Sequence, residues 1–304
     1  MNPAIQLEHV SKHYKGKIAV DDLSLTIEEG SVVALLGPNG AGKTTTVSMT
    51  LGLQQPTSGT IRLLDGSPQD RHVKNRLGAM LQDVNVIDGL KVGETIELFR
   101  HYYTNPLSMK QLLKLSDLEA EKGKMATSLS GGQKRRLNFA LALAGDPSIM
   151  FLDEPTVGMD VTSRRTFWEA IREMAGSGRT IILTTHYLEE ADAIADRIVV
   201  VNNGRLIADG TPASIKVSVS GRTLSFTAGA GVTDETVRRL PGVRRTDWHG
   251  RRVSIVSDDT DLLVQAIVLH ELEAKDIEIR SGGLEEAFQQ LVHHEAKEQE
   301  FERR

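Results

Sequence analysis

The stretch GPNGAGKTT, Gly37–Thr45, constrains this chain more than any other, because it fits G-x-x-x-x-G-K-[ST] and directly follows the apolar run SVVALLG, Ser31–Gly37. A continuously apolar run ending in glycine reads as a strand buried on both faces. The glycines let successive backbone N–H groups curl around an anion, and a helix opening after Gly42 aims its positive end at the same point. Gly37, Pro38, Asn39, Gly40, Ala41, Gly42, Lys43, Thr44 and Thr45 then form a phosphate cradle, with Lys43 on the β/γ-phosphates and Thr44 on Mg2+. The pattern alone arises by chance in about one chain in a hundred. Its place between a strand and a helix gives it weight.

The rest of the chain supplies the setting. Ile5 to Gly30 alternates apolar and polar residues and reads as antiparallel strands. SIMFLDE (Ser148–Glu154) and RTIILTTH (Arg179–His186) read as further buried strands, and Arg164 to Ala175 as a helix. RIVVVNNGRLIADG (Arg197–Gly210) is a hairpin with an Asn-Gly turn. Lys91 to Ala144 is largely helical, with a helix start expected at Asn105-Pro106. Buried strands alternating with helices imply an α/β domain over 1–214, with a helical subdomain inserted at about 83–145. Beyond it the expected order is strand 217–227, helix 233–240, hairpin 243–249 and 251–257, helix 260–272 and strand 275–281. That βαββαβ order is the ferredoxin-like split unit, an α+β domain over 215–292. A charge-rich tail, 293–304, follows.

Other residue groups invite chemistry, each beside a plainer reading. Asp153 and Glu154 end a buried strand, where ligands sit in α/β sheets. There Asp153 supports a Mg2+ shell and Glu154 takes a proton from water, or the pair merely starts a loop. In LSGGQ (Leu129–Gln133), Ser130 and the amides of Gly131 and Gly132 make a second anion site at a helix start, or Ser130 is an ordinary cap. Gln82 reaches metal and water, or a loop backbone. His186 contacts a γ-phosphate, or is a satisfied core histidine. Tyr14 stacks on adenine, or simply packs. His293-His294 lacks a third ligand at metal spacing, Gly282-Gly283 reads as a turn, and Arg244-Arg245 and Arg251-Arg252 read as solvated charges flanking a hairpin.

Composition closes off several classes. The net charge is −5, which gives no global reason to bind nucleic acid, and none is expected as a partner. There is no cysteine, so disulfide and thiolate chemistry are excluded. The N-terminus has no signal-peptide run, and no stretch approaches the roughly 20 apolar residues of a membrane-spanning helix. Action at a membrane would go through a partner.

The order Tyr14, GPNGAGKTT, Gln82, LSGGQ, IMFLDEP, VGMD (Val157–Asp160) and His186 resembles the complete motif set of an ATP-binding-cassette (ABC) ATPase, over roughly residues 4 to 212. The resemblance implies a P-loop cassette with a mixed sheet core, an antiparallel β subdomain and an inserted helical subdomain. It implies ATP and Mg2+, the latter held by Thr44, Gln82 and Asp153. Glu154, His186, Lys43 and Gln82 take the catalytic roles, and Tyr14 stacks on adenine. Ser130, Gly131, Gly132, Gln133 and Asp160 serve nucleotide across the interface of a homodimer with shared ATP sites. Met159 stands where the family more often has leucine, a swap of similar size. TVGMDVTSRRTFWEAI and THYLEEADAIADRIVVVNNGRLIADGTP resemble the ATPase chains of drug, antibiotic and polysaccharide exporters, and the C-terminal domain ending SGGLEEAFQQL resembles the one appended in that group. This implies separate transmembrane permease subunits and a peripheral place on the cytoplasmic face of the cell membrane. Two competing readings remain: a non-transport ABC ATPase acting on ribosomes or DNA, and a regulatory module that binds ATP without turnover. One cassette, no long heptad run and no cysteine weigh against the first; intact Glu154 and His186 weigh against the second.

Overall fold

The computed structural model describes residues 3–82, 86–220, 222–257, 259–269 and 272–302. Residues 83–85, where the helical subdomain was expected to open, and 303–304 of the tail lie outside the described residues. The chain divides into two compact units, Met1–Asp209 and Gly210–Arg304.

The first unit joins two sheets. β1 (Pro3–Tyr14) pairs antiparallel with β2 (Lys17–Glu28) and with β4 (Ser58–Leu63). The second sheet contains β3 (Val32–Leu36), β5 (Leu77–Met80), β6 (Ile149–Asp153), β7 (Thr180–Thr184), β8 (Arg197–Asn202) and β9 (Arg205–Gly210). Its order is β5-β6-β7-β3-β8-β9, and β5 through β8 run parallel. β3, β6 and β7 are buried throughout, as their continuous apolar runs require. Asn203 and Gly204, at φ 46° and 81°, make the two-residue turn from β8 to β9, which needs left-handed backbone at both positions.

Helix α1 (Lys43–Thr50) follows β3 and shares one core with both sheets: Val47 and Met49 bury beside Ile5 and Leu25 from one and Phe151 and Ile182 from the other. Each such side chain contributes roughly 1.5–3 kcal/mol. The short α2 (Arg71–Lys74) leads into β5. The helical subdomain holds α3 (Val92–Arg100), α4 (Met109–Leu115) and α5 (Gly131–Leu143), closed over Ile96, Leu112 and Leu137. α4 starts at Met109 and not at Asn105-Pro106, because Ser108 and Gln111 form a reciprocal capping box. After β6, α6 (Val161–Gly176) sets Phe167 edge-to-face against Phe139 of α5, ring centroids 4.8 Å apart, and α7 (Leu188–Ile194) follows β7.

The second unit opens with α8 (Pro212–Ser220), so residues 217–220 belong to a helix and not to the strand expected there. Thr211 caps it, accepting from Ser214 N at 3.1 Å, and Pro212 occupies the first turn, where proline's fixed φ favours a helix. α8 packs on α11 (Leu284–Glu302), which moves the division from the expected 214/215 to 209/210. Between them come β10 (Arg222–Thr227), α9 (Asp234–Arg238), β11 (Val243–His249), β12 (Arg252–Ser257), α10 (Thr260–Leu269) and β13 (Lys275–Ser281). The strands form an antiparallel sheet ordered β11-β12-β10-β13, a split βαββαβ arrangement. Leu224, Phe226, Val253 and Ile255 alternate inward and bury against Val237, Leu263 and Ile267.

Candidate functional site

The turn from β3 into α1 carries the glycine loop. Gly42 is the N-cap of α1 with φ 103°. A Cβ on Gly37 would stand 2.3 Å from Val201 O, and one on Gly42 2.4 Å from Ala19 O, so only hydrogen fits at either position. The loop is thereby pressed between β8 and β2. Lys43 Nζ donates to Gly37 O at 2.6 Å and to Pro38 O at 3.0 Å. Burial pushes its ammonium below the ordinary lysine value, against the opposing pull of Glu154 and Asp153.

Asp153 ends β6, almost fully buried, and accepts a hydrogen bond from the Thr184 hydroxyl. Glu154 N donates to Thr184 O at 3.1 Å and to Thr184 Oγ1 at 3.2 Å. Thr184 thus anchors both members of the acidic pair. Glu154 itself has φ 49°, unusual for a residue with a side chain. Its Oε1 lies 2.6 Å from His186 Nε2.

These groups converge on one cavity of about 410 Å³. Asn39 to Thr45, Asp153, Glu154 and His186 line it, together with Gln82, Tyr14, Lys17 and Ala19. A groove of about 890 Å³ in the second unit is larger, but its wall is Arg244, Arg245, Glu286 and neighbouring α11 side chains, and the phosphate cradle and acidic pair lie on the smaller one. Tyr14 is half-exposed; its hydroxyl donates to Gln54 Oε1, and Lys12 Nζ stands 5.4 Å from its ring centroid. Gln82 is exposed, and its backbone oxygen accepts from Arg135 Nη1 at 2.7 Å.

The remaining candidates lie elsewhere in the chain. Ser130 caps α5: its hydroxyl accepts from Gln133 N at 3.3 Å, while Gln133 Oε1 accepts from Ser130 N at 3.0 Å. Gly131 and Gly132 form the first turn of that helix. Asp160 caps α6, and hydrogen bonds from the Ser163 amide and hydroxyl hold its carboxyl below the usual range. Neither Ser130–Gln133 nor Asp160 lines the 410 Å³ cavity. They are neighbours of each other, since a Cβ on Gly132 would come within 3.2 Å of Gly158 O, beside the buried Met159.

The Thr44 hydroxyl, the Asp153 carboxylate and the Gln82 amide bring oxygen donors to this cavity, beside Glu154 and His186. Among the described residues no group of three or more His, Cys, Asp or Glu could cage an ion. One buried carboxylate with neutral oxygens suits a small hard cation that also takes waters and phosphate oxygens, as Mg2+ does.

Comparison with known proteins gives the family. The profile described as ABC transporter matches residues 20–157. A second, described as AAA domain, putative AbiEii toxin, Type IV TA system, matches 125–192. A protein of Ralstonia nicotianae named Nod factor export ATP-binding protein I is 33% identical over 307 residues, covering 97% of this chain and 96% of its own. The chain belongs to the ABC transporter ATP-binding family. The protein of that name from Sinorhizobium fredii is 35% identical, over 97% of this chain and 88% of its own. One from Burkholderia lata is 40% identical over 71% and 74%. Among solved structures, a dimeric bacterial ABC transporter cassette matches with a TM-score of 0.63 at 27% identity, covering 68% of this chain and 98% of that one. A cassette dimer in a post-hydrolysis state, bound to ADP and Pi, matches at 0.62 and 26%, with the same coverage. The chain is therefore an ABC ATPase, and its α/β cassette is a P-loop fold.

Within this ABC ATPase the sequence reading missed Thr184, which ties Asp153 and Glu154 together, and Lys17 and Ala19, which line the cavity from β2. The one available signal for Thr184 was a hydroxyl at the end of a buried strand. Lys17 and Ala19 carried none beyond their closeness to Tyr14.

Proposed function

We propose that this ATPase subunit works as a homodimer in which each copy supplies the cradle, base and histidine for one ATP and the Ser130–Gln133 turn for the other. One observation carries this. The chain gathers Lys43, Asp153, Glu154 and His186 around one cavity, while its second anion-binding turn, at the start of α5, is no part of that cavity's wall. A second copy is the simplest source of the missing donors. The dimeric cassettes among its structural relatives support the reading.

Within each site the loop amides and Lys43 bind the triphosphate and neutralise its charge. The Glu154 carboxylate takes a proton from water as the water oxygen attacks the γ-phosphorus and the bond to the β,γ-bridging oxygen breaks. His186 holds Glu154 oriented and reaches the γ-phosphate. Thr44, Gln82 and Asp153 would hold Mg2+, which would supply charge neutralisation to the triphosphate. Loss of the γ-phosphate removes the contact that bridges the two copies, so the pair opens. Tyr14 stacks on the adenine. We read the cycle as driving separate membrane subunits in export, from the cytoplasmic face; the relatives named for Nod factor export support that direction. Among the described residues no helix is long and apolar enough to cross a membrane.

Sedimentation of Glu154→Gln tests this. With ATP it should form a stable dimer and lose turnover by about 10²–10⁴-fold, while wild type with ADP stays monomeric. Turnover at the wild-type rate, or no ATP-dependent dimer, would overturn the scheme.

A further inference from the structure

Two residues that no cavity-lining argument selects meet behind the reacting pair. Arg164 lies in the first turn of α6, one turn past the Asp160 cap, with its backbone N donating to Asp160 O at 2.9 Å. Glu190 lies in the first turn of α7, four positions after His186. Arg164 Nε stands 3.2 Å from Glu190 Oε1, and the Glu190 side chain is only 9% exposed. The other oxygen, Glu190 Oε2, accepts from Thr156 Oγ1 at 2.8 Å. Thr156 is buried and belongs to the short segment joining Glu154 to Asp160. The Arg164 guanidinium also lies over the ring of Tyr187, 4.5 Å from its centroid, and Tyr187 is bonded in sequence to His186. Tyr187 N donates to Thr185 Oγ1 at 2.9 Å, which fixes the turn that presents the histidine.

A buried carboxylate is costly unless hydrogen-bonded and paired. Here its partners come from two segments, the helix behind Asp160 and the loop after Glu154, and the carboxylate itself from a third, the helix behind His186. Arg164 Nε and Glu190 Oε1 are close, yet they are not aligned for a hydrogen bond.

We propose that Arg164, Glu190 and Thr156 are positioning residues that lock the Val157–Asp160 loop to the His186 turn, so that movement at Asp160 sets the contact between His186 and Glu154. This rests on the reading of Glu154 and His186 as the reacting pair and of Asp160 as an interface residue. Glu190 is not among the residues lining the 410 Å³ cavity; it acts through the backbone turns on either side. Glu190→Gln keeps an acceptor for Thr156 and removes the charge that attracts Arg164, and Arg164→Ala removes the cation from both Glu190 and Tyr187.

The test measures steady-state ATPase kinetics, ATP Kd and Tm on the full-length protein, for Glu190→Gln, Arg164→Ala and Arg164→Lys, with Glu154→Gln as reference. The expected result is a fall in kcat of about tenfold or more for the first two, with ATP Kd and Tm near wild type, and recovery of most of kcat in Arg164→Lys. A kcat within twofold of wild type in both, while Glu154→Gln is inactive, would overturn this proposal alone. A kcat loss that merely tracks a fall in Tm would overturn it too, by showing a packing role. Full turnover by Glu154→Gln would sink the underlying reading as well, so the two failures are told apart.

Discussion

At the scale of single residues, the site is a set of groups already held by their neighbours. Lys43 rests on two carbonyls of its own loop, and burial keeps its ammonium easier to deprotonate than an ordinary lysine. Triphosphate oxygens favour the charged form, so binding at alkaline pH takes up a proton. ATP affinity is therefore expected to hold steady near neutrality and to fall as pH rises through the lowered Lys43 value, below 10.5. Lys43→Arg should show no such fall, because guanidinium does not titrate there. Fluorescent-nucleotide titrations between about pH 7 and 10 would check both; a parallel decline in the arginine variant would assign the effect to another group.

At the scale of elements, the start of α5 shows how one residue can serve both structure and chemistry. Ser130 closes a capping box with Gln133, and the same turn offers the amides that a partner's phosphate would need. The two roles separate by substitution. Ser130→Ala should cost about 1 kcal/mol of helix stability. Ser130→Asp keeps a good cap and preserves Tm, but places a carboxylate where an anion must dock, so ATP-dependent dimerisation of the Glu154→Gln background should disappear. Thermal melts alongside light scattering would show it, and an intact dimer in Ser130→Asp would leave Ser130 as a cap only. In the second unit, Asp234 at the start of α9 accepts from Thr246 Oγ1 at 2.6 Å and Trp248 Nε1 at 2.8 Å, with Arg238 Nε also 2.6 Å away. Those bonds hold its carboxyl below the usual range, Thr246 contributing most. A lowered carboxyl value stabilises the fold above the unfolded-state value of about 3.9, and that gain is lost as pH falls through the lower folded value. Asp234→Asn should flatten the acid limb of unfolding, read from Trp248 emission in a Trp168→Phe background; an unchanged limb would point to other carboxylates.

For the whole molecule, the legible parts were those carried by contiguous residues. The glycine loop, the buried strands and the Asn-Gly hairpin each announce themselves within about ten positions, through period and turn chemistry. The strands and hairpin of the second unit were legible for the same reason, by their alternation. What escaped was set across distance. Thr184 and Asp153 are 31 positions apart, and Arg164, Thr156 and Glu190 come from three elements, so nothing local marks them. The stretch 217–220 alternates valine and serine, a strand period, yet capping by Thr211 and packing on α11 made it helix. The proposed sharing of the cavity with a second copy was suggested in the sequence by motif order alone.

Neighbouring side chains on a strand point to opposite sides of a sheet. Asp153 and Glu154 are consecutive, yet both open on the same cavity. The left-handed backbone at Glu154 explains how: the strand stops at Asp153, the chain swings over at the next residue, and a carboxylate that regular pleating would send to the far side comes round to the near one. An L-residue held that way costs roughly 1–2 kcal/mol. The enzyme's two adjacent acids are thus made into partners by a single backbone torsion, and any change that let β6 run one residue further would part them without altering either side chain.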